Sequence, residues 1–182
     1  MRDYREISLW NNVPEEEWSD WHWQFHNRIV TLEQLEQVIE LTDEETEGIE
    51  GCMSVFRMAI TPYYASLINP ADRNCPVRRQ AVPSVLEQHS TCSDLRDPLH
   101  EDMHSPVPKL IHRYPDRVLM LVTDQCSVYC RHCTRRRRVG VTERAGTEEQ
   151  FDAAIDYVRR TPAVRDVLIS GGLKPCVAMF LG

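Results

Sequence analysis

Residues 117–138 read RVLMLVTDQCSVYCRHCTRRRR. RVLMLV (117–122), apolar after its first residue, opens the stretch, as in a strand covered on both faces. Three cysteines follow, at 126, 130 and 133, and four consecutive arginines close it. Downstream, TEEQFDAAIDYVRR (147–160) carries a capping-box pattern in Thr147 and Gln150. Phe151, Ala154, Ile155 and Val158 fall on one helical face and form its expected buried stripe. VRDVLIS (164–170) then reads as a second buried strand, ending in Gly171 and Gly172. Strand, loop, helix and strand make a βαβ unit, so the two strands are expected to be parallel with a right-handed crossover. The cysteines thus lie just past the C-terminal end of a parallel strand, where sheets and barrels of this class bind ligands. The glycine pair lies at the same end of the neighbouring strand.

The upstream half has a different texture. Residues 14–41 read as helical, with a capping box in Thr31 and Gln34 and an apolar face of Leu32, Leu35, Val38 and Ile39. Trp18, Trp21 and Phe25 suit core or interface packing. Thr42 and Glu45 open a helix expected to reach about Ala59, and TPYYASLI (61–68) another with Pro62 near its first turn. Residues 69–116 hold seven prolines and read as loop, with one short helix near Val82–Gln88. The expected division is a helical region over 1–68, a proline-rich wrapping segment over 69–116, a βαβ unit with its cysteine loop over 117–172, and an atypical tail over 173–182. The fold class is α/β.

Composition narrows the function. Of 182 residues, 42% are hydrophobic and 27% charged, an ordinary globular balance. No apolar run is long enough to span a bilayer, and the N-terminus lacks a signal-peptide core, so no membrane role and a cytoplasmic location are the defaults. Net charge is −7, with 3 Arg against 14 Asp and Glu in residues 1–50 and 6 Arg against one Glu in 131–144. That pattern opposes a nucleic-acid binder, which needs a broad basic face. It suits a small anionic ligand. Seven cysteines in a reducing compartment are thiols or metal ligands. Cys52, Cys75, Cys92 and Cys176 are scattered and read as ordinary thiols. The clustered three have the spacing C-x3-C-x2-C. A structural zinc site wants four ligands, and His132 is poorly placed to be the fourth. A 4Fe–4S cluster held by three thiolates leaves one iron open for a substrate or cofactor. Spacing alone leaves two readings: a cluster site or a small zinc-binding interaction module.

C-x3-C-x2-C is also the signature of radical S-adenosylmethionine enzymes. The surrounding text resembles the lysine 2,3-aminomutase family: WHWQ (21–24), RMAITPYY (57–64), DPLHEDMHSPVP (97–108), HRYPDR (112–117) and AIDYVRRTPAVRDVLISGG (154–172). The resemblance implies the start of a parallel (β/α) radical enzyme partial barrel after a helical N-terminal region. It implies isomerase activity, with L-lysine and β-lysine interconverted by 5′-deoxyadenosyl-radical 1,2-amino migration on pyridoxal phosphate; a relative acting on glutamate or arginine is the alternative. It makes Cys126, Cys130 and Cys133 the ligands of a 4Fe–4S cluster whose fourth iron takes S-adenosylmethionine. His132 would meet the adenine, and Gly171 and Gly172 the methionine portion. Arg135 would hold the substrate carboxylate, and Arg113, Tyr114 and Arg117 the phosphate of pyridoxal phosphate. Arg136, Arg137 and Arg138 are expected to form a solvated or subunit-facing charge run. Implied partners are lysine, an electron donor such as ferredoxin or flavodoxin, and further copies of the full-length chain.

The match breaks after Gly172. The chain continues LKPCVAMFLG, and Leu173 stands where the family has an acid that bears on the amino group of S-adenosylmethionine. A barrel needs on the order of 250 residues. The imine-forming lysine, the acids that read the far amino group of the substrate and the zinc ligands of the family have no counterpart here. The expectation is a barrel truncated after its second strand, unstable by itself and without aminomutase activity.

Overall fold

The computed structural model describes residues 2–53, 56–89, 94–140 and 143–171. Gly172, the tail 173–182, and two of the scattered cysteines, Cys92 and Cys176, lie outside them. The chain divides into two compact units, residues 1–92 with 127–133 and residues 93–126 with 134–182.

The first unit is helical. Its elements are α1 (Glu15–Ser19), α2 (Trp21–His26), α3 (Leu32–Glu36), α4 (Asp43–Met53), α5 (Pro62–Ser66) and α6 (Pro76–Ala81). The stretch read as helical over 14–41 holds three short helices, with Thr31 starting the third. Asp20 ends α1 and caps α2, its Oδ1 accepting the His22 N–H at 2.9 Å. Beyond α2 the chain extends, and Ile29 pairs with Ile60 in an isolated bridge. The Thr31 capping box is present, with the Gln34 N–H donating to Thr31 Oγ1 at 3.3 Å and the Thr31 N–H to Gln34 Oε1 at 3.2 Å. Thr42 and Glu45 make the same exchange at the start of α4. That helix stops short of Ala59: it ends at Met53, and Arg57–Ala59 are in no helix before the Ile60 bridge. The proline-rich segment holds more helix than expected: α6 begins at Pro76, and a 3-10 turn covers Val85–Gln88. Gly48 lets α4 lie against this turn, since a Cβ there would come within 2.6 Å of the Val85 nitrogen. Ile29, Leu35, Ile49, Met58, Ile60 and Ile68 are buried at the centre. Trp10 belongs to this core, and Trp18 and Trp23 pack against it, Trp18 stacked on Tyr4 with ring centres 4.0 Å apart.

The second unit is mixed α/β, built on a three-stranded sheet in the order β1 (Leu110–Tyr114), β2 (Arg117–Leu121), β3 (Asp166–Ser170). β2 and β3 are parallel, with Arg117 opposite Asp166 and Leu121 opposite Ser170. α7 (Glu148–Arg159) joins them, capped by Thr147 and Gln150 as the sequence predicts. Ala154 of its stripe is buried with Leu110 and Val118, whereas Ile155 is exposed.

Two expectations fail here. β1 lies inside the segment read as loop. Proline counting hid a hairpin: Leu110 and Ile111 pair antiparallel with Met120 and Leu119 across the Pro115–Asp116 turn. β3 is also not a buried strand, because Val167, Leu168 and Ile169 are exposed. Among the described residues no helix is long and apolar enough to cross a membrane.

Candidate functional site

The cysteine stretch leaves the sheet at the C-terminal end of β2. Val122 donates its N–H to Ser170 O at 2.8 Å, and the Gly146 N–H returns to Val122 O at 2.9 Å. Lys109 and Asp124 form a half-buried ion pair at 2.7 Å. These ties fix the exit from β2 just before Cys126. Gly171 packs at the same end of β3. Its φ is +149°, and a Cβ would come within 2.6 Å of Thr123 O and 2.9 Å of Thr123 N. Contact with the neighbouring strand end already demands glycine there.

Cys130 and Cys133 belong to the helical unit and Cys126 to the sheet unit. The Cys133 N–H donates to Cys130 O at 3.0 Å, closing a tight turn over the C-x2-C step. Burial pushes the Cys130 thiol up, and the charge of neighbouring Cys133 adds to that. The turn is pinned by the Tyr129 N–H to Ala59 O at 2.9 Å and the Arg131 N–H to Gln80 O at 2.8 Å. His132 is exposed and lines an open cavity of about 460 Å³ together with Arg79, Val85 and Glu87. Cys126, Cys130 and Cys133 are not joined in disulfides. As a donor set, three thiols within eight residues suit a soft metal or an iron–sulfur cluster. Among the described residues, no group of three or more His, Cys, Asp or Glu side chains is gathered as a ready metal site.

The arginine run is not a solvated strip. The side chain of Glu101 is 3% exposed, and the Arg135 fork closes on it with contacts of 2.6, 2.9 and 3.1 Å. Arg137 pairs with Asp97 at 2.9 Å and Asp102 at 3.2 Å, and Arg138 pairs with Asp102. Three arginines therefore neutralise the acids of 97–102, which lie more than thirty residues away. Arg136 is exposed, as expected. The Arg138 and Arg137 guanidiniums hold the Asp102 carboxyl below the usual carboxylate range.

Arg113, Tyr114 and Arg117 do come together. Tyr114 and Arg117 face each other across the hairpin end, and both guanidiniums lie within 6 Å of the Tyr114 ring, at 5.9 and 5.8 Å. Arg117 is also held by Asp116 at 3.0 and 3.1 Å. This group sits at the start of β2, whose five residues span about 13 Å, and Cys126 follows five residues past the other end of the strand. Gly172, paired with Gly171 in the sequence reading, lies outside the described residues. Arg131, between Cys130 and Cys133, was given no role by sequence reasoning, yet its side chain is buried in ion pairs and carbonyl contacts. The only sequence hint was Ser84 followed by Glu87, a capping box whose acid proves to be its partner.

No family model matches the chain. Individual relatives do. The chain is 58% identical over 168 residues to the L-lysine 2,3-aminomutase of Clostridium subterminale, an overlap of 92% of this chain and 40% of that protein. It is 56% identical over 171 residues to the L-lysine 2,3-aminomutase of Bacillus subtilis (strain 168), covering 94% of this chain and 36% of the relative. To the glutamate 2,3-aminomutase of Clostridioides difficile (strain 630) it is 39% identical over 171 residues, covering 94% and 40%. The chain thus matches lysine 2,3-aminomutases along most of its own length, and spans about two-fifths of theirs. The resemblance read outward from the cysteine loop is borne out.

Proposed function

We propose that this chain is part of a radical S-adenosylmethionine aminomutase that moves the amino group of L-lysine from C2 to C3. The observation that carries the reading is the C-x3-C-x2-C loop at the end of a parallel strand, in a chain 58% identical to a lysine 2,3-aminomutase. The lower identity to a glutamate 2,3-aminomutase, 39%, favours lysine as substrate. In this reading β2, α7 and β3 are the first βαβ unit of a partial barrel.

Cys126, Cys130 and Cys133 would hold a 4Fe–4S cluster. With S-adenosylmethionine and pyridoxal phosphate bound, these cofactors supply the one-electron chemistry and the electron sink for the migrating nitrogen. The chain's own residues bind and orient. Arg135 offers a planar fork to the substrate carboxylate, with Glu101 fixing its plane. A carboxylate entering there meets a guanidinium already neutralised by Glu101, so the two acids share its donors. Arg113, Tyr114 and Arg117 would take the phosphate of pyridoxal phosphate. His132 would pack beside the adenine, and Gly171 and Gly172 would let the methionine portion approach the backbone. The reduced cluster needs an external one-electron donor of the ferredoxin or flavodoxin class, and thiols kept out of disulfides suit a reducing cytoplasm. The working enzyme is a homo-oligomer.

Anaerobic reconstitution with iron and sulfide tests the reading. The expected result is a brown protein absorbing near ~400 nm, with a reduced-state electron paramagnetic resonance signal that shifts on adding S-adenosylmethionine. A colourless chain holding one zinc, or a cluster signal indifferent to S-adenosylmethionine, sinks it. Turnover of lysine against glutamate then decides the substrate.

A further inference from the structure

Arg131 stands between two of the candidate ligands and is used by none of the readings above. Its side chain is 6% exposed. Nε donates to Glu87 Oε1 at 2.9 Å and Nη2 to Glu87 Oε2 at 2.7 Å, a two-point fork. Nη1 donates to Arg57 O at 2.9 Å, and Nη2 also reaches Phe56 O at 3.2 Å. The guanidinium lies 4.4 Å from the centre of the Phe56 ring. Glu87 is itself fixed, because its Oε1 accepts the Ser84 N–H at 3.1 Å as the acid of the capping box. One side chain thus ties the Cys130–Cys133 turn to the end of the Arg57 segment and to the 3-10 turn at Val85–Gln88.

A solvent-facing residue at this place would leave the turn to be ordered when metal arrives. A guanidinium saturated in four directions orders it beforehand. We propose that Arg131 is a positioning residue: its lock on Glu87, Arg57 and Phe56 sets the turn so that the Cys130 and Cys133 thiolates stand ready for the cluster. The assignment rests on the cluster reading. It places Arg131 among the outer partners of a metal site, whose loss costs roughly 10–100-fold in metal retention.

Arg78 supplies the control. It is equally buried in the same unit, bound to Glu45 at 2.8 and 3.1 Å, to Glu40 O at 2.6 Å and to Pro70 O at 3.0 Å, but it adjoins no candidate ligand. The experiment compares the unaltered chain with Arg131→Lys, Arg131→Met, Glu87→Gln and Arg78→Met after anaerobic loading with iron and sulfide. It records the thermal midpoint of the metal-free chain, iron per chain, and the rate at which EDTA strips iron. The expected result is that Arg131→Met, Arg131→Lys and Glu87→Gln lose iron roughly 10–100-fold faster, while Arg78→Met holds it normally despite a similar drop in midpoint. Lysine fails to rescue because it lacks the fork. Should Arg131→Met not fold, Arg131→Lys and Glu87→Gln carry the comparison. If the unaltered chain holds iron and these variants hold it as long as Arg78→Met does, the assignment falls alone. An unaltered chain that takes up no iron removes the cluster reading and this assignment together.

Discussion

The helical unit and the sheet unit keep their charges in opposite ways. In the helical unit each buried guanidinium stands apart. Arg78 and Arg131 each take one glutamate and two backbone carbonyls, deep among apolar side chains. In the sheet unit the arginines pool. Arg135, Arg137 and Arg138 share Asp97, Glu101 and Asp102, and Asp102 is largely exposed. An isolated buried pair fixes geometry, because removing one member strands the other. A pooled network tolerates the loss of one member and can yield a donor to an incoming anion. Apolar surface divides the same way. The helical unit closes over Ile29, Ile49 and Ile60, whereas the sheet unit leaves the apolar residues of β3 in solvent.

The sharpest way to break this comparison is paired arginine removal. Arg78→Met is expected to cost about 3–5 kcal/mol in urea unfolding by leaving Glu45 and two carbonyls without their donor. Arg138→Met is expected to cost under about 1 kcal/mol, because its partner is solvated. Equal losses would erase the distinction. The apolar contrast comes next. Ile60→Ala, at 0% exposure, should lose about 2–5 kcal/mol, and Leu168→Ala, at 64% exposure, should stay within about 0.5 kcal/mol. Thr147→Ala removes the cap of α7 and should cost about 1 kcal/mol, read as faster amide exchange in Glu148–Phe151. The smallest effect is in pH. Because Asp102 is held below its ordinary carboxylate range, its pairing stabilises the fold above about pH 4, where an unfolded aspartate is ionised. That contribution fades as pH falls through the lower folded value. An Asp102 carboxyl that titrates like a free aspartate by nuclear magnetic resonance would remove Asp102 and Arg138 from the network and leave Arg137 on Asp97.

Signals carried within a few residues were readable from the sequence. The Thr31 and Thr147 capping boxes, Pro62 at the start of α5 and the parallel pairing of β2 with β3 all rest on local patterns. Legibility failed where a tertiary partner decides. Residues 14–41 have helical spacing, but Asp20 caps a new helix and Ile29 is drawn into a bridge with Ile60. β1 was lost because prolines were counted over a long segment, while the informative unit was Pro115–Asp116 between two apolar runs. The arginine run looked solvated because the acids that neutralise it lie 34 to 40 residues upstream. The site shows the same split. Spacing singled out the three cysteines, but the lock that holds Arg131 reaches back 44 residues to Glu87.

The hairpin has a consequence for synthesis on the ribosome. β1 and β2 are joined by two residues and can zip as soon as both emerge, whereas the partner for the other side of β2 is Asp166–Ser170. At roughly 5–20 residues per second, the 49 residues from 122 to 170 take about 2–10 s to make. Through that interval the outer margin of β2 offers bare amide and carbonyl groups, and any other nascent strand that finds them first competes with β3 for the place.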